Sequence, residues 1–187
     1  MVFEVRDLWP LTLIELGKIP SWHPFIKFMQ FTEDYAYKNS SSVVSLLPKA
    51  NHYMQKRGMI NEKFIYVPNG INVIRWMEQN RSVPKEHYEI LNKLKEEGRF
   101  IVGYVGTHGL ANALDYLIES AKILKQYPIS FVLVGNGAEK SRLEQQVKRE
   151  KLSNIIFLPP VQRDCIPQLL DLMDVLYIGW KKRVESV

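Results

Sequence analysis

The chain has 187 residues, of which 46% are hydrophobic and 24% charged, with a formal net charge of +5. That length holds one ordinary domain or two smaller pieces, and that balance belongs to a globular chain able to bury a core rather than to a disordered one. No apolar run approaches the roughly 20 residues a membrane-crossing helix needs, and the opening MVFEVRDLWP carries charges where a secretory signal would be apolar, so the chain is expected in the cytoplasm. The single cysteine, Cys165, cannot form an internal disulfide and reads as a small buried hydrophobe. The basic balance suits an anionic partner such as nucleotide or lipid phosphates. Nucleic acid is not expected, because the basic residues are dispersed and lack an aromatic-plus-basic recognition pattern.

In chain order, MVFEVRDLW starts as a short strand, TLIELGK reads as a helix ending at Gly17, and PFIKFMQFTEDYAYKNS has helical spacing. SVVSLLP follows as a buried strand closed by Pro48, KANHYMQKRG as a helix with a glycine stop, and KFIYVPNGI as a strand running into a Pro-Asn-Gly turn. Residues 73–98 are polar and mixed, ending in the charged, helix-like EHYEILNKLKEEG, and are expected to be a connector. After them RFIVGYVG, ISFVLVG, NIIFLPPV and DVLYIGW read as strands, separated by helices over LANALDYLIESAKILKQY, AEKSRLEQQVKREK and RDCIPQLLDLM. The first of these helices carries apolar Leu114, Leu117, Ile118, Ala121, Ile123 and Leu124. Strands apolar on both faces that alternate with helices predict an α/β fold, a parallel sheet covered on both sides. Residues 99–187 thus form most of one doubly wound unit, and residues 1–72 look like the tail of another.

Ligands of such sheets lie outside the carboxyl ends of the strands, where helix N-termini offer N–H groups and a partial positive charge. Gly106 and Gly109 permit a tight turn and close backbone approach, so GTHG can cradle a phosphate at the start of a helix over residues 110–127, with Thr107 adding a hydroxyl and His108 an imidazole facing the crevice. A ligand-free strand-to-helix turn explains the glycines equally well. Gly135, Asn136 and Gly137 repeat the geometry one strand on. GYVGTHG is not the G-x-G-x-x-G of a dinucleotide site, the next strand ends without a ribose-binding acid, and neither corner continues into a P-loop. His23, His52, His87 and His108 are too scattered to predict a metal site.

The order of FEVRDLWP, VVSLLPKANHYMQKRG, KFIYVPNGIN, IVGYVGTHGLANALDYLIESAKIL, FVLVGNGAEKSRLEQ and NIIFLPPV followed by LLDLMDVLYIG resembles the retaining, nucleotide-sugar-dependent glycosyltransferases of family four. Its RDLWP and GTHG are similar to transferases that build bacterial cell-surface polysaccharides on lipid carriers. The resemblance implies parts of two Rossmann-like doubly wound parallel sheets of the GT-B type. Residues 1–72 would be the C-terminal part of the acceptor-side domain, 73–98 the linker and hinge, and 99–187 the N-terminal part of the donor-binding domain. Arg6 and Asp7 would stand near the transferred sugar; the plain alternative is an Arg-Asp surface pair. Asn69 and Gly70 would turn the chain into the linker. Gly106, Thr107 and Gly109 would hold the donor's diphosphate, with His108 helping to stabilise the leaving group. Gly135, Asn136 and Gly137 would border the nucleoside, and Pro160, Val161 and Gln162 would lie near the base. The implied function is transfer of a hexosyl group from a nucleotide sugar, with a UDP-sugar expected, to a carbohydrate or lipid-linked acceptor in envelope polysaccharide synthesis. No cofactor or metal is expected.

Two departures from the family pattern stand out. GLANAL lacks the Arg and Lys that many members carry around the first corner, leaving Lys181, Lys182 and more distant basic residues to neutralise the diphosphate. The chain also lacks the first acceptor-domain strands and the later helix with two glutamates. It is therefore expected to be the middle of a longer enzyme, and a second chain supplying missing parts is one implied partner. KKRVESV reads as a frayed end. The alternative function is a non-catalytic module that binds a nucleotide or pairs with a partner chain. Trp22, Phe25, Phe28, Phe31 and Tyr35, with Lys18 and Lys27 nearby, form a stripe at roughly helical spacing. Core packing is the commoner explanation; the other is contact with a lipid surface, which would place the protein at the inner face of the membrane.

Overall fold

The computed structural model describes residues 1–78 and 81–181, and the chain divides into two compact units, Met1–Ile71 and Asn72–Lys182.

The first unit holds β1 (Val2–Val5), α1 (Leu11–Glu15), α2 (Pro24–Asn39), β2 (Ser42–Ser45), α3 (Ala50–Lys56) and β3 (Phe64–Tyr66). The strands form a parallel sheet in the order β1-β2-β3, with Phe3 opposite Val43 and Val44 opposite Ile65. Its core gathers Val5, Leu8, Tyr37, Val43, Ala50, Met54 and Met59. α2 starts where it does because Pro24 sits in the first turn, where a missing N–H costs nothing, and a ring nitrogen of His23 accepts a bond from Phe25 N at 3.2 Å. Its inward side carries Ile26, Glu33 and Tyr37. Glu33 accepts from Tyr37 Oη at 2.9 Å, Tyr53 Oη at 3.1 Å and Gln30 Nε2 at 2.8 Å, and burial pushes its carboxyl above the usual range. A forked pair from Arg57 to Asp34, at 2.6 and 2.8 Å, ties the end of α3 to the same helix.

The second unit holds α4 (Val73–Met77), α5 (Lys85–Glu96), β4 (Phe100–Val105), α6 (Leu114–Ile123), β5 (Ile129–Val134), α7 (Lys140–Arg149), β6 (Ile155–Leu158), α8 (Ile166–Asp171) and β7 (Val175–Leu176). Its parallel sheet has the order β6-β5-β4-β7. The chain steps outward from β4 to β6 and then returns to lay β7 on the other side of β4. Because side chains alternate along a strand, β5 sends Phe131 and Leu133 into one core and Val132 and Val134 into the other. The first core is closed by Leu114, Leu117, Ile118 and Ala121 of α6 with Leu143 and Val147 of α7. The second is closed by Leu91 and Leu94 of α5 with Leu169 of α8. Two covered faces explain why ISFVLVG is apolar without a break.

Three expectations are corrected. Residues 73–98 are not a connector throughout: α5 lies within them and packs on β4, burying His87, Leu91 and Leu94. The helix expected over 110–127 starts at Leu114, after a 3₁₀ turn at Leu110–Asn112 and a left-handed Ala113. Ile123 is exposed, since it falls off the face that Leu114, Leu117, Ile118 and Ala121 share. The aromatic stripe of Trp22, Phe25, Phe28, Phe31 and Tyr35 is not core either; all five side chains are exposed. Cys165 is buried, as expected of a free cysteine acting as a small hydrophobe.

Candidate functional site

The carboxyl ends of β4, β5 and β6 converge on a cleft of about 310 Å³, lined by Gly106, Thr107, Gly135, Asn136, Pro160 and Val161 with Val105, Val134 and Ile166. Residues from all three predicted segments are thus brought together by strand pairing alone, since Val105 pairs with Val134 and Val134 with Leu158. Gly109, Gly137 and Gln162 stand outside that lining.

The two glycine corners lock into each other. Gly106 N donates to Val134 O at 3.0 Å, His108 N to Asn136 O at 2.8 Å, and Glu139 N to His108 O at 3.0 Å. A Cβ on Gly135 would collide with the Gly106 carbonyl oxygen, and one on Gly137 with the His108 carbonyl, so both positions need glycine for the fold itself. Thr107 O accepts from Tyr104 Oη at 2.7 Å and from Asn112 Nδ2 at 2.5 Å, fixing the first corner from beneath. With Gly109 N bonded to Thr107 O at 2.9 Å, the amides of Gly106, His108 and Gly109 already have partners within the protein. The next backbone N–H groups along the chain are those of the first turn of α6, which begins after the left-handed Ala113. Asp115 in that turn would oppose an anion, but Arg142 binds it at 2.8 Å.

His108 does not face open crevice. Its ring is fully buried against Tyr104 and Phe157, and neither ring nitrogen has a hydrogen-bond partner. Enclosure, and next the nearby charge of Lys140, hold its pKa below the usual histidine value. In this conformation the imidazole is neutral packing beneath the corner. Lys140, which the sequence reading passed over, donates from Nζ to Gly135 O at 3.0 Å and so places a cation at the carboxyl end of β5. Its signal in the sequence is a lysine opening α7, the helix end where the backbone dipole disfavours positive charge. Lys181 is described and donates its amide to Ala111 O at 2.8 Å, whereas Lys182 and the rest of KKRVESV lie outside the described residues.

In the first unit, Arg6 and Asp7 follow β1 and line a separate cleft of about 580 Å³ with Trp9 and with Met29, Thr32 and Glu33 of α2. Arg6 pairs with Glu4 at 2.8 Å rather than with Asp7, in an exposed bridge of little energetic weight. Asn69 and Gly70 are exposed and outside any helix or strand. Among the described residues no cluster of three His, Cys, Asp or Glu could hold a metal ion, and no helix is long and apolar enough to cross a membrane.

Two units, each with its own open parallel α/β sheet, the second with glycine corners at its carboxyl edge, agree with the GT-B class of Rossmann-like folds. The model of glycosyl transferases group 1 matches residues 88–182, and the chain belongs to that family. Its similarity to WcaI of Escherichia coli (strain K12), named as a colanic acid biosynthesis glycosyl transferase, is 29% identity over 129 residues, covering 68% of this chain and 31% of that protein. Among solved structures, WaaG, a glycosyltransferase involved in lipopolysaccharide biosynthesis, superposes with a TM-score of 0.71 at 17% identity, over 97% of this chain and 50% of WaaG. Anabaena Alr3699/HepE in complex with UDP and glucose superposes with a TM-score of 0.68 at 18% identity, over 96% of this chain and 46% of that chain. The chain therefore spans half or less of the length of these relatives.

Proposed function

We propose that the protein takes part in glycosyl transfer from a nucleotide sugar, with a UDP-hexose as donor and a carbohydrate or lipid-linked acceptor of the cell envelope, and that the donor binds at the β4–β5–β6 cleft. The observation that carries this is the convergence of Gly106, Thr107, Gly135, Asn136, Pro160 and Val161 on one cleft at the carboxyl edge of the second sheet. In this reading the diphosphate lies over the first turn of α6, with Gly109 allowing close approach and Lys140 supplying the positive charge that GLANAL lacks. Asn136 and the 160–162 segment border the nucleoside. His108 acts by holding the corner in shape. Arg6 and Asp7 are proposed to meet the transferred sugar, and Asn69 and Gly70 to serve as the hinge. The family membership, the naming of WcaI for colanic acid biosynthesis and the UDP and glucose bound by Alr3699/HepE support the donor and the pathway class.

Fixed positive groups are what such a reaction needs, because the leaving diphosphate gains charge as the glycosidic bond breaks. Calorimetric titration with UDP and UDP-hexoses is the first test, followed by turnover of radiolabelled donor. Saturable binding that Gly109→Val abolishes supports the site; unchanged binding in that variant removes it. Binding without turnover by the chain alone supports the alternative, a nucleotide-binding module that needs a partner chain to act.

A further inference from the structure

The wall of the cleft that follows β6 begins with two prolines. Pro159 and Pro160 have no N–H to give, so past Leu158 the chain leaves the sheet without an amide donor at either position. Pro160 and Val161 line the cleft all the same, and the segment runs on into the 3₁₀ turn Arg163–Cys165 that opens α8. Its place must be fixed from outside.

What fixes it comes from one stretch, residues 81–87, which leads into and opens α5. His87, in the first turn of that helix, donates from Nε2 to Pro159 O at 2.8 Å; a carbonyl oxygen can only accept, so this nitrogen carries the proton. Cys165 Sγ lies 3.4 Å from Ser82 O, and Arg81 pairs with Asp164 at 3.3 Å. Val83 and Val161 belong to one core with Leu91 and Leu169. The polar contacts differ in weight. The Arg81–Asp164 pair is exposed and screened, and a thiol is a weak donor. His87 is 2% exposed, so water cannot take over the bond that its N–H makes. Nδ1 is buried without a hydrogen-bond partner, which leaves Pro159 O as the ring's one polar contact. A helix that needed only apolar packing here would be served by leucine, without the unpaired nitrogen.

We propose that His87 is a positioning residue of the donor site: by holding the Pro159 carbonyl it sets where Pro160 and Val161 stand, and so shapes the end of the cleft that meets the nucleoside. The proposal rests on the reading of that cleft as the donor site. His87 is not among the residues that line the cleft, so it acts through the wall and not on the donor itself.

In the full chain, nitrogen-15 shifts of the His87 ring are expected to show the proton on Nε2; a proton on Nδ1 alone overturns the proposal. His87→Leu removes the donor and keeps the bulk, whereas His87→Gln returns an N–H at a similar reach. Cys165 N donates to Gln162 O at 3.0 Å at the far end of the segment, and its amide exchange reports how firmly the wall is held. That exchange is expected to quicken about tenfold in His87→Leu and to return toward the wild-type rate in His87→Gln. By calorimetry, UDP affinity is expected to fall about tenfold in His87→Leu and to recover in His87→Gln, while inorganic pyrophosphate, which has no base, binds wild type and variants within about twofold. A loss that UDP and pyrophosphate share, together with a lower melting temperature, would make His87 a stability residue and overturns the proposal. Unchanged exchange at Cys165 overturns it as well. If the wild type binds no UDP while exchange follows the substitutions, the donor reading falls and the hold of His87 on the Pro159 wall stands.

Discussion

At Gly109 a Cβ would meet nothing nearer than Asn112 Nδ2 at 3.5 Å, whereas at Gly135 it would strike the Gly106 carbonyl. Two glycines of the same motif type thus have separable roles. Gly109→Val is expected to fold with an unchanged melting temperature and to lose UDP-sugar binding, while Gly135→Ala is expected to lose the fold of the second unit; calorimetry and thermal melts distinguish them. Lys140→Gln should weaken donor affinity about tenfold, the usual scale for one charge-assisted contact of about 1.4 kcal/mol, with the melting temperature little changed. His108 gives the third prediction. Its folded pKa lies below that of an unfolded histidine, about 6.5, so the unfolded chain binds the proton that the folded chain refuses. Stability of the second unit is therefore flat in this term above about pH 6.5 and falls as the pH drops below it. His108→Leu forfeits no hydrogen bond, because neither nitrogen makes one, and should flatten that slope in urea-midpoint measurements between pH 5 and 8. The same slope in both proteins would show that another group carries it.

Among the elements, α5 separates what the sequence displays from what it conceals. EHYEILNKLKEEG is so polar that Leu91 and Leu94 alone hardly announce a core face, yet Leu91 is fully buried with Ile101 and Leu169 in the core beside β4. A helix needs only a narrow apolar stripe when its sheet supplies the rest of the core. Leu91→Ala should therefore cost about 2–5 kcal/mol in the second unit, as buried leucines do; a cost near zero in denaturant titration would return the segment to the status of a connector. The strands were readable for the opposite reason: IVGYV and FVLV are apolar on both faces, which only a doubly covered parallel sheet rewards. The cleft residues were readable because glycine spacing reports the strand ends directly. What stayed hidden depends on three-dimensional neighbours. The start of α6 at Leu114 rests on a left-handed alanine that no propensity rule predicts. The enclosure of His108 depends on Phe157, and the cation at the corner comes from Lys140 on the following helix. The aromatic spacing on α2 was visible, but spacing alone cannot say which side of a helix the sheet takes.

At the scale of the molecule, each unit has its own core: seven buried residues around Tyr37 and Val43 in the first, and the two clusters flanking β4 and β5 in the second. Residues 67–72 between β3 and α4 are exposed, and a Cβ on Gly70 meets nothing within 4 Å. Limited proteolysis should therefore cut in this stretch before it cuts any strand, and Gly70→Ala should leave stability within about 0.5 kcal/mol of the wild type. The first sheet has only three short strands, and small domains bury proportionally less surface, so the first unit should melt at the lower temperature and calorimetry should depart from a single two-state transition. A donor held by residues of the second unit alone stabilises that unit alone. At a UDP-hexose concentration of about 100 times its dissociation constant the gain is about 2.7 kcal/mol, or roughly 10 °C for a domain near 100 residues, on the upper transition only. If the lower transition rises with it, groups of the first unit touch the bound donor, and Arg6 and Asp7, which line its cleft beside β1, are the residues to substitute next. If neither transition moves, the corner formed by Gly106 and Gly135 holds no donor in this chain.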